Sequence, residues 1–87
     1  MSLQERIRAF ILKNFLFTTD QTRLADDASL TRSGILDSMG MLELLLFLEQ
    51  TWAIKLDEDE LTLENLDSVN SLVALVGRKT NGSADSD

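Results

Sequence analysis

The sequence predicts an all-α protein: a four-helix bundle of three longer helices and one short third helix, with a long loop between the first and second. Three observations carry this. Apolar residues recur every three or four positions in three separate stretches, Ser, Thr or Asp heads each stretch, and proline is absent. No alternating apolar and polar run competes as a strand. At 87 residues the chain is one domain, with a core that suits a helical bundle and is too small for a deep, enclosed active site.

The first helix is expected over residues 3–16. Ser2 and Glu5 have the spacing of a capping box, and Leu3, Ile7, Phe10 and Ile11 share one face, with Glu5, Arg6, Arg8 and Lys13 on the other. From Phe17 to Asp37 the periodicity lapses into Thr18-Thr19-Asp20-Gln21-Thr22, Asp26-Asp27 and Thr31-Arg32-Ser33-Gly34, which are turn and loop residues. A connection of this length is unusual in so small a domain, and such loops are commonly functional or hold a short element of their own. Leu24, Leu30, Ile35 and Leu36 are expected to pin it to the core.

The second helix should begin at Asp37 or Ser38, both good N-caps, and run to about Trp52. The acidic run Asp57-Glu58-Asp59-Glu60 reads as a solvated loop. Thr62 can cap a short turn over Leu63-Glu64-Asn65-Leu66, and Asp67 or Ser68 can cap a last helix with Val69, Leu72, Val73 and Val76 on one face. Arg78 and Lys79 suit its negative carboxyl end. The folded domain is thus expected over 1–79, followed by a polar tail at 80–87 that has nothing to bury and is expected to be disordered.

Composition narrows the function. A net charge of −7 opposes binding to nucleic acid or anionic membranes and favours basic protein surfaces as partners. Without cysteine there are no disulfides, thiol catalysis or thiolate metal sites; without histidine the commonest general base and metal ligand are gone. Neither a run of about eighteen apolar residues nor a signal-peptide pattern is present, so a cytoplasmic, monomeric protein that does not insert in membranes is expected. Asp57 and Asp59 raise a calcium loop, but Thr62 stands at its sixth position and Ser68 at its twelfth, where Gly and Glu are needed.

The second helix is apolar around more of its circumference than one packed face requires. On a helical wheel Met41, Leu44, Leu45, Leu48 and Trp52 form one arc and Met39, Leu42 and Leu46 another, while Glu43, Gln50, Gly40 and Thr51 hold the remaining side with Phe47 among them. Either the bundle surrounds this helix, or Met39, Leu42 and Leu46, flanked by Glu43 and Glu49, form a docking stripe for a partner.

Ser38 stands at the head of that helix. Asp-Ser is a common helix start for a structural reason, since its side-chain oxygens satisfy free backbone N–H groups, and Asp67-Ser68 repeats the pattern in the same chain. Context separates the two. If Asp37 is the cap, Ser38 falls in the first turn with its hydroxyl outward, after a long loop and Gly34, where an enzyme can reach it.

The stretch Gly34-Ile35-Leu36-Asp37-Ser38-Met39-Gly40-Met41-Leu42-Glu43-Leu44 resembles the phosphopantetheine attachment motif of acyl carrier proteins, in which a glycine precedes Asp-Ser-Leu, an apolar residue and Glu-Leu. The resemblance extends from about residue 3 to 79, through helix lengths, the long first loop and the short third helix, and is closest to discrete carriers. It implies that a phosphopantetheinyl transferase attaches 4'-phosphopantetheine from coenzyme A to Ser38, with Asp37 as the motif acid or simply the helix cap. Acyl or aminoacyl groups would then ride on the arm as thioesters, loaded by an activating ligase and passed to acyl-processing enzymes. In this way a chain without Cys or His takes part in thioester chemistry without being an enzyme.

Two positions depart from the family's pattern. Met39 replaces the usual leucine at similar volume. Gly40 stands where fatty-acid carriers usually hold an acid, which weakens the electrostatic docking surface and points toward a secondary pathway or an amino-acid cargo. The competing reading is a small acidic helical interaction module in which Ser38 is only a cap; it predicts partner binding indifferent to modification. Leu45, Leu48, Ile54, Leu66 and Val73 read equally as the lining of an acyl pocket and as plain core.

Overall fold

In the computed structural model residues 2–85 are described, with side chains through Thr80. The chain forms four α-helices and, among the described residues, no strand: α1 (Leu3–Ile11), α2 (Ser38–Trp52), α3 (Leu63–Leu66) and α4 (Val69–Asp85). The small all-helical bundle is therefore as expected.

The capping box opening α1 is formed, with the Glu5 N–H donating to Ser2 Oγ and the Ser2 N–H to Glu5 Oε1, each at 3.1 Å. The α-helix stops earlier than its periodicity implies. Leu12–Leu16 continue as a π-helical turn, closed where Phe17 takes the left-handed conformation at φ 54° and returns its N–H to Leu12 O. Phe17 is left 83% exposed.

The long loop contains one short 3-10 turn, Gln21–Arg23, and is tied down along its length. Arg8, expected on the outer polar face, instead turns in to hold the first half. Its guanidinium donates to Gln21 O, Gln21 Oε1, Leu24 O and Asp26 Oδ1, the last at 2.6 Å. The second half hangs on Asp67, whose backbone carbonyl accepts the Leu30 N–H at 2.7 Å. The Asp67 carboxylate accepts from Ser29 Oγ and from the N–H and hydroxyl of Thr31. Leu24, Leu30 and Leu36 are buried beneath these anchors, with Ile35 packed against them.

Ile7, Ile11, Leu44, Leu48, Leu72, Leu75 and Val76 are fully buried at the centre, each such side chain contributing about 1.5–3 kcal/mol. Helix α4 packs on α1, α2 and α3. Along the α1–α2 seam Phe10 stacks on Phe47 with centroids 4.0 Å apart, and Phe15 and Trp52 meet this pair edge-on at either end.

The acidic run folds as a 3-10 turn at Glu58–Glu60 instead of an open loop. Glu60 accepts the Asp57 N–H and pairs with Lys79 of α4 at 2.9 Å. Hydrogen bonds from the Asp57 amide and Lys79 hold the Glu60 carboxyl below its ordinary pKa. Helix α4 continues to Asp85, through most of the stretch whose composition points to a disordered tail. Ser86 and Asp87 lie outside the described residues.

Candidate functional site

The start of α2 is where the loop, the end of α1 and α3 meet. Asp37, extended at φ −101°, is the N-cap: its Oδ1 accepts the Gly40 N–H at 2.7 Å. Ser38 is therefore the first helical residue and is exposed. Its hydroxyl has no hydrogen-bond partner among the described residues. At the second Asp-Ser pair the duties are reversed. Ser68 Oγ accepts the Ser71 N–H and caps α4, while Asp67 holds the loop. Of these two pairs, it is at Asp37-Ser38 that the serine hydroxyl stands free of structural work.

Gly34 supplies the turn before the site. Its φ of +80° lies in the left-handed region that favours glycine, and its N–H returns to Thr31 O at 3.2 Å.

Beside Ser38 a cleft of about 530 Å³ is lined by Thr31, Leu36, Asp37, Met41, Leu42 and Leu63, so the loop, α2 and α3 all contribute. Thr31, Asp37 and Ser38 itself bring polar groups to the lining, and Leu36, Met41, Leu42 and Leu63 are apolar. Next to it Met39 is 66% exposed and Leu42 and Leu46 are each 55% exposed. Leu63 extends this apolar area onto α3, and Leu61 is exposed at the end of the 3-10 turn; a four-residue helix gives too short a sequence pattern to show which side faces out.

The charges expected to flank this stripe are not equivalent. Glu43 is exposed, whereas Glu49 is half-buried and its Oε2 accepts the Leu56 N–H at 2.9 Å, joining the two ends of the turn after α2. Gly40, placed by the wheel on a polar side, is buried. A Cβ there would lie 3.1 Å from Phe15 Cε1, 3.2 Å from Asp37 Oδ1 and 3.3 Å from Leu36 Cδ2. The wheel misjudged this side because α1 covers it: Phe47, one of its residues, is stacked under Phe10. Of the residues suggested for an acyl pocket, Leu48 and Leu66 are buried core, and Leu45, Ile54 and Val73 pack against that core half-buried.

Among the described residues no group of three or more acidic side chains is arranged to hold a metal ion, and no helix is long and apolar enough to cross a membrane.

No protein-family model and no curated protein matches the sequence. A chain of a solved structure described as "Crystal structure of FAD-dependent dehydrogenase" is 32% identical, with a TM-score of 0.69 over 80% of this chain and 97% of that chain. Four-fifths of this protein thus accounts for nearly all of that chain, which is the shorter of the two. At that identity over almost its whole length, the two chains belong to one family.

Proposed function

We propose that this protein, kin to a small chain in a flavoenzyme structure, is a carrier that holds acyl or aminoacyl groups on 4'-phosphopantetheine attached to Ser38. The observation that carries the reading is the division of labour at the head of α2. Asp37 does the capping, and the Ser38 hydroxyl is exposed and free of partners.

The residues present fit the group. Ser38 offers an accessible oxygen at the end of an anchored loop, and the adjoining cleft of Leu36, Met41, Leu42 and Leu63 gives an arm apolar surface to rest against. In the attachment step Ser38 Oγ bonds to the phosphorus that bears the pantetheine, the pyrophosphate link of coenzyme A breaks, and adenosine 3',5'-bisphosphate leaves. The hydroxyl proton passes to a base on the transferase. Once bound, the arm supplies the thiol that carries cargo as a thioester. Met39, Leu42, Glu43 and Leu46 are exposed on α2 after Ser38 as the surface that loading and processing enzymes would meet, while Glu49 is held by the Leu56 amide.

The kinship supports one class of downstream partner. A chain this small has no room for an FAD-binding domain besides its own core, so we read the matched chain as the companion of the dehydrogenase. By extension an FAD-dependent enzyme would act on the cargo of this protein, removing two hydrogens as FAD takes up a hydride and a proton. No residue of the described structure needs to change chemistry for this; the carrier only presents.

The test is the mass of the protein after incubation with coenzyme A and a broad-specificity phosphopantetheinyl transferase. Gain of one phosphopantetheine in the wild type and none in Ser38→Ala is expected. No gain in the wild type, or gain retained in Ser38→Ala, would exclude the reading and leave a helical interaction module, whose partner binding would not depend on modification.

A further inference from the structure

We infer that Gly40 is a positioning residue for Ser38, setting the direction in which the hydroxyl is offered to the transferase. The inference rests on the carrier reading and adds to it a residue that no motif position explains.

Gly40 is where two separate pieces of the chain, the π-helical turn after α1 and the Leu36–Asp37 end of the long loop, converge on the first turn of α2. Phe15 arrives from the π-helical turn that ends α1, with its ring edge 3.1 Å from where a Cβ would stand. Leu36 arrives from the end of the long loop; it is 3% exposed and its N–H is bonded to Leu30 O at 3.0 Å. Asp37 Oδ1 lies 3.2 Å from the same point while accepting the Gly40 N–H. A methyl group at this position would be tight against all three. The neighbours have little freedom to yield: Phe15 is held edge-on by Phe10, which is itself stacked on Phe47. The softest response is displacement of the exposed Asp37 carboxylate. That carboxylate caps the helix on one side of Ser38, so moving it re-aims the serine while leaving the core in place.

Helix propensity runs the other way, because alanine is the better helix former. A loss of modification without a loss of fold therefore separates positioning from stability.

The test uses the full chain, coenzyme A and a broad-specificity transferase, with mass gain followed over time and protein concentration. Gly40→Ala is expected to lower kcat about tenfold with KM within about twofold, while circular dichroism and the Trp52 melt show a folded protein at the assay temperature. Trimming the opposing ring should relieve the contact, so Phe15→Leu in the Gly40→Ala background is expected to restore most of kcat. Val76→Ala, which weakens the core away from the site, should be modified with wild-type kcat. Gly40→Ala modified as fast as the wild type, or Val76→Ala slowed to the same degree, would overturn the inference. Absence of any mass gain in the wild type would instead remove the carrier reading, and this one with it.

Discussion

The Asp37 carboxylate accepts the Gly40 amide at 2.7 Å, and in doing so it relieves Ser38 of the capping duty that its neighbour sequence allows either residue to perform. The consequence is an opposition between adjacent residues. Asp37→Ala should lower stability by about 1 kcal/mol in urea unfolding, the usual cost of a lost side-chain cap. Ser38→Ala should stay within about 0.5 kcal/mol of the wild type and yet accept no phosphopantetheine. Equal destabilisation by both would show that the two share the cap.

Within α2, position alone should separate leucines of the same chemistry. Leu44 is fully buried and Leu42 is half in solvent. Leu44→Ala is expected to cost about 2–5 kcal/mol from lost burial and the cavity left behind, and Leu42→Ala to fall within about 0.5 kcal/mol. Chemical denaturation of the two variants measures the gap. A comparable cost at Leu42 would place it in the core and remove it from any docking surface.

Asp67 links the loop to acid sensitivity. Burial opposes its ionisation, but the bonds from Ser29 and Thr31 outweigh this and hold the carboxyl below its ordinary value. Because the folded pKa is depressed, the stabilisation is complete above the unfolded value, about 3.9, and is lost as pH falls through the folded value. The stability difference between the wild type and Asp67→Asn should therefore be constant near neutrality and shrink as pH falls from about 4 toward 2. A difference that does not change with pH would assign the loop's anchoring to the Asp67 backbone carbonyl alone.

Helix α2 ends on a non-glycine residue in the left-handed conformation. Ala53 has φ 52° and its N–H closes on Glu49 O, a position normally given to glycine. Ala53→Gly should raise stability by about 0.5–1 kcal/mol, read as a higher urea midpoint, since relief of the Cβ strain exceeds the added freedom of the unfolded chain. A lower midpoint would mean that the alanine methyl makes a contact worth more than the strain.

The bundle was legible because its signals are local. The Ser2/Glu5 box, the Asp37 and Ser68 caps and the apolar spacing of α2 each act within a few residues, and each produced the expected element. What escaped was long-range. Nothing near Arg8 in sequence announces that its guanidinium will reach residues 21–26, and a wheel cannot know that α1 will cover Gly40 and Phe47. Likewise Glu49 looks like a surface charge until the chain doubles back and places the Leu56 amide against it. The exposure of Met39, Leu42 and Leu46 was foreseeable for the opposite reason, since the helix carries more apolar residues than one interface can cover.

The row of rings along the α1–α2 seam ends in the chain's one tryptophan, which sits edge-on to Phe47 with the Arg6 guanidinium 5.3 Å from its ring centre. The protein thus carries an intrinsic optical reporter at the end of the seam remote from Ser38. Indole emission responds to separation of the first two helices and needs no label. Folding and chemistry can be read from opposite ends of one molecule in a single experiment.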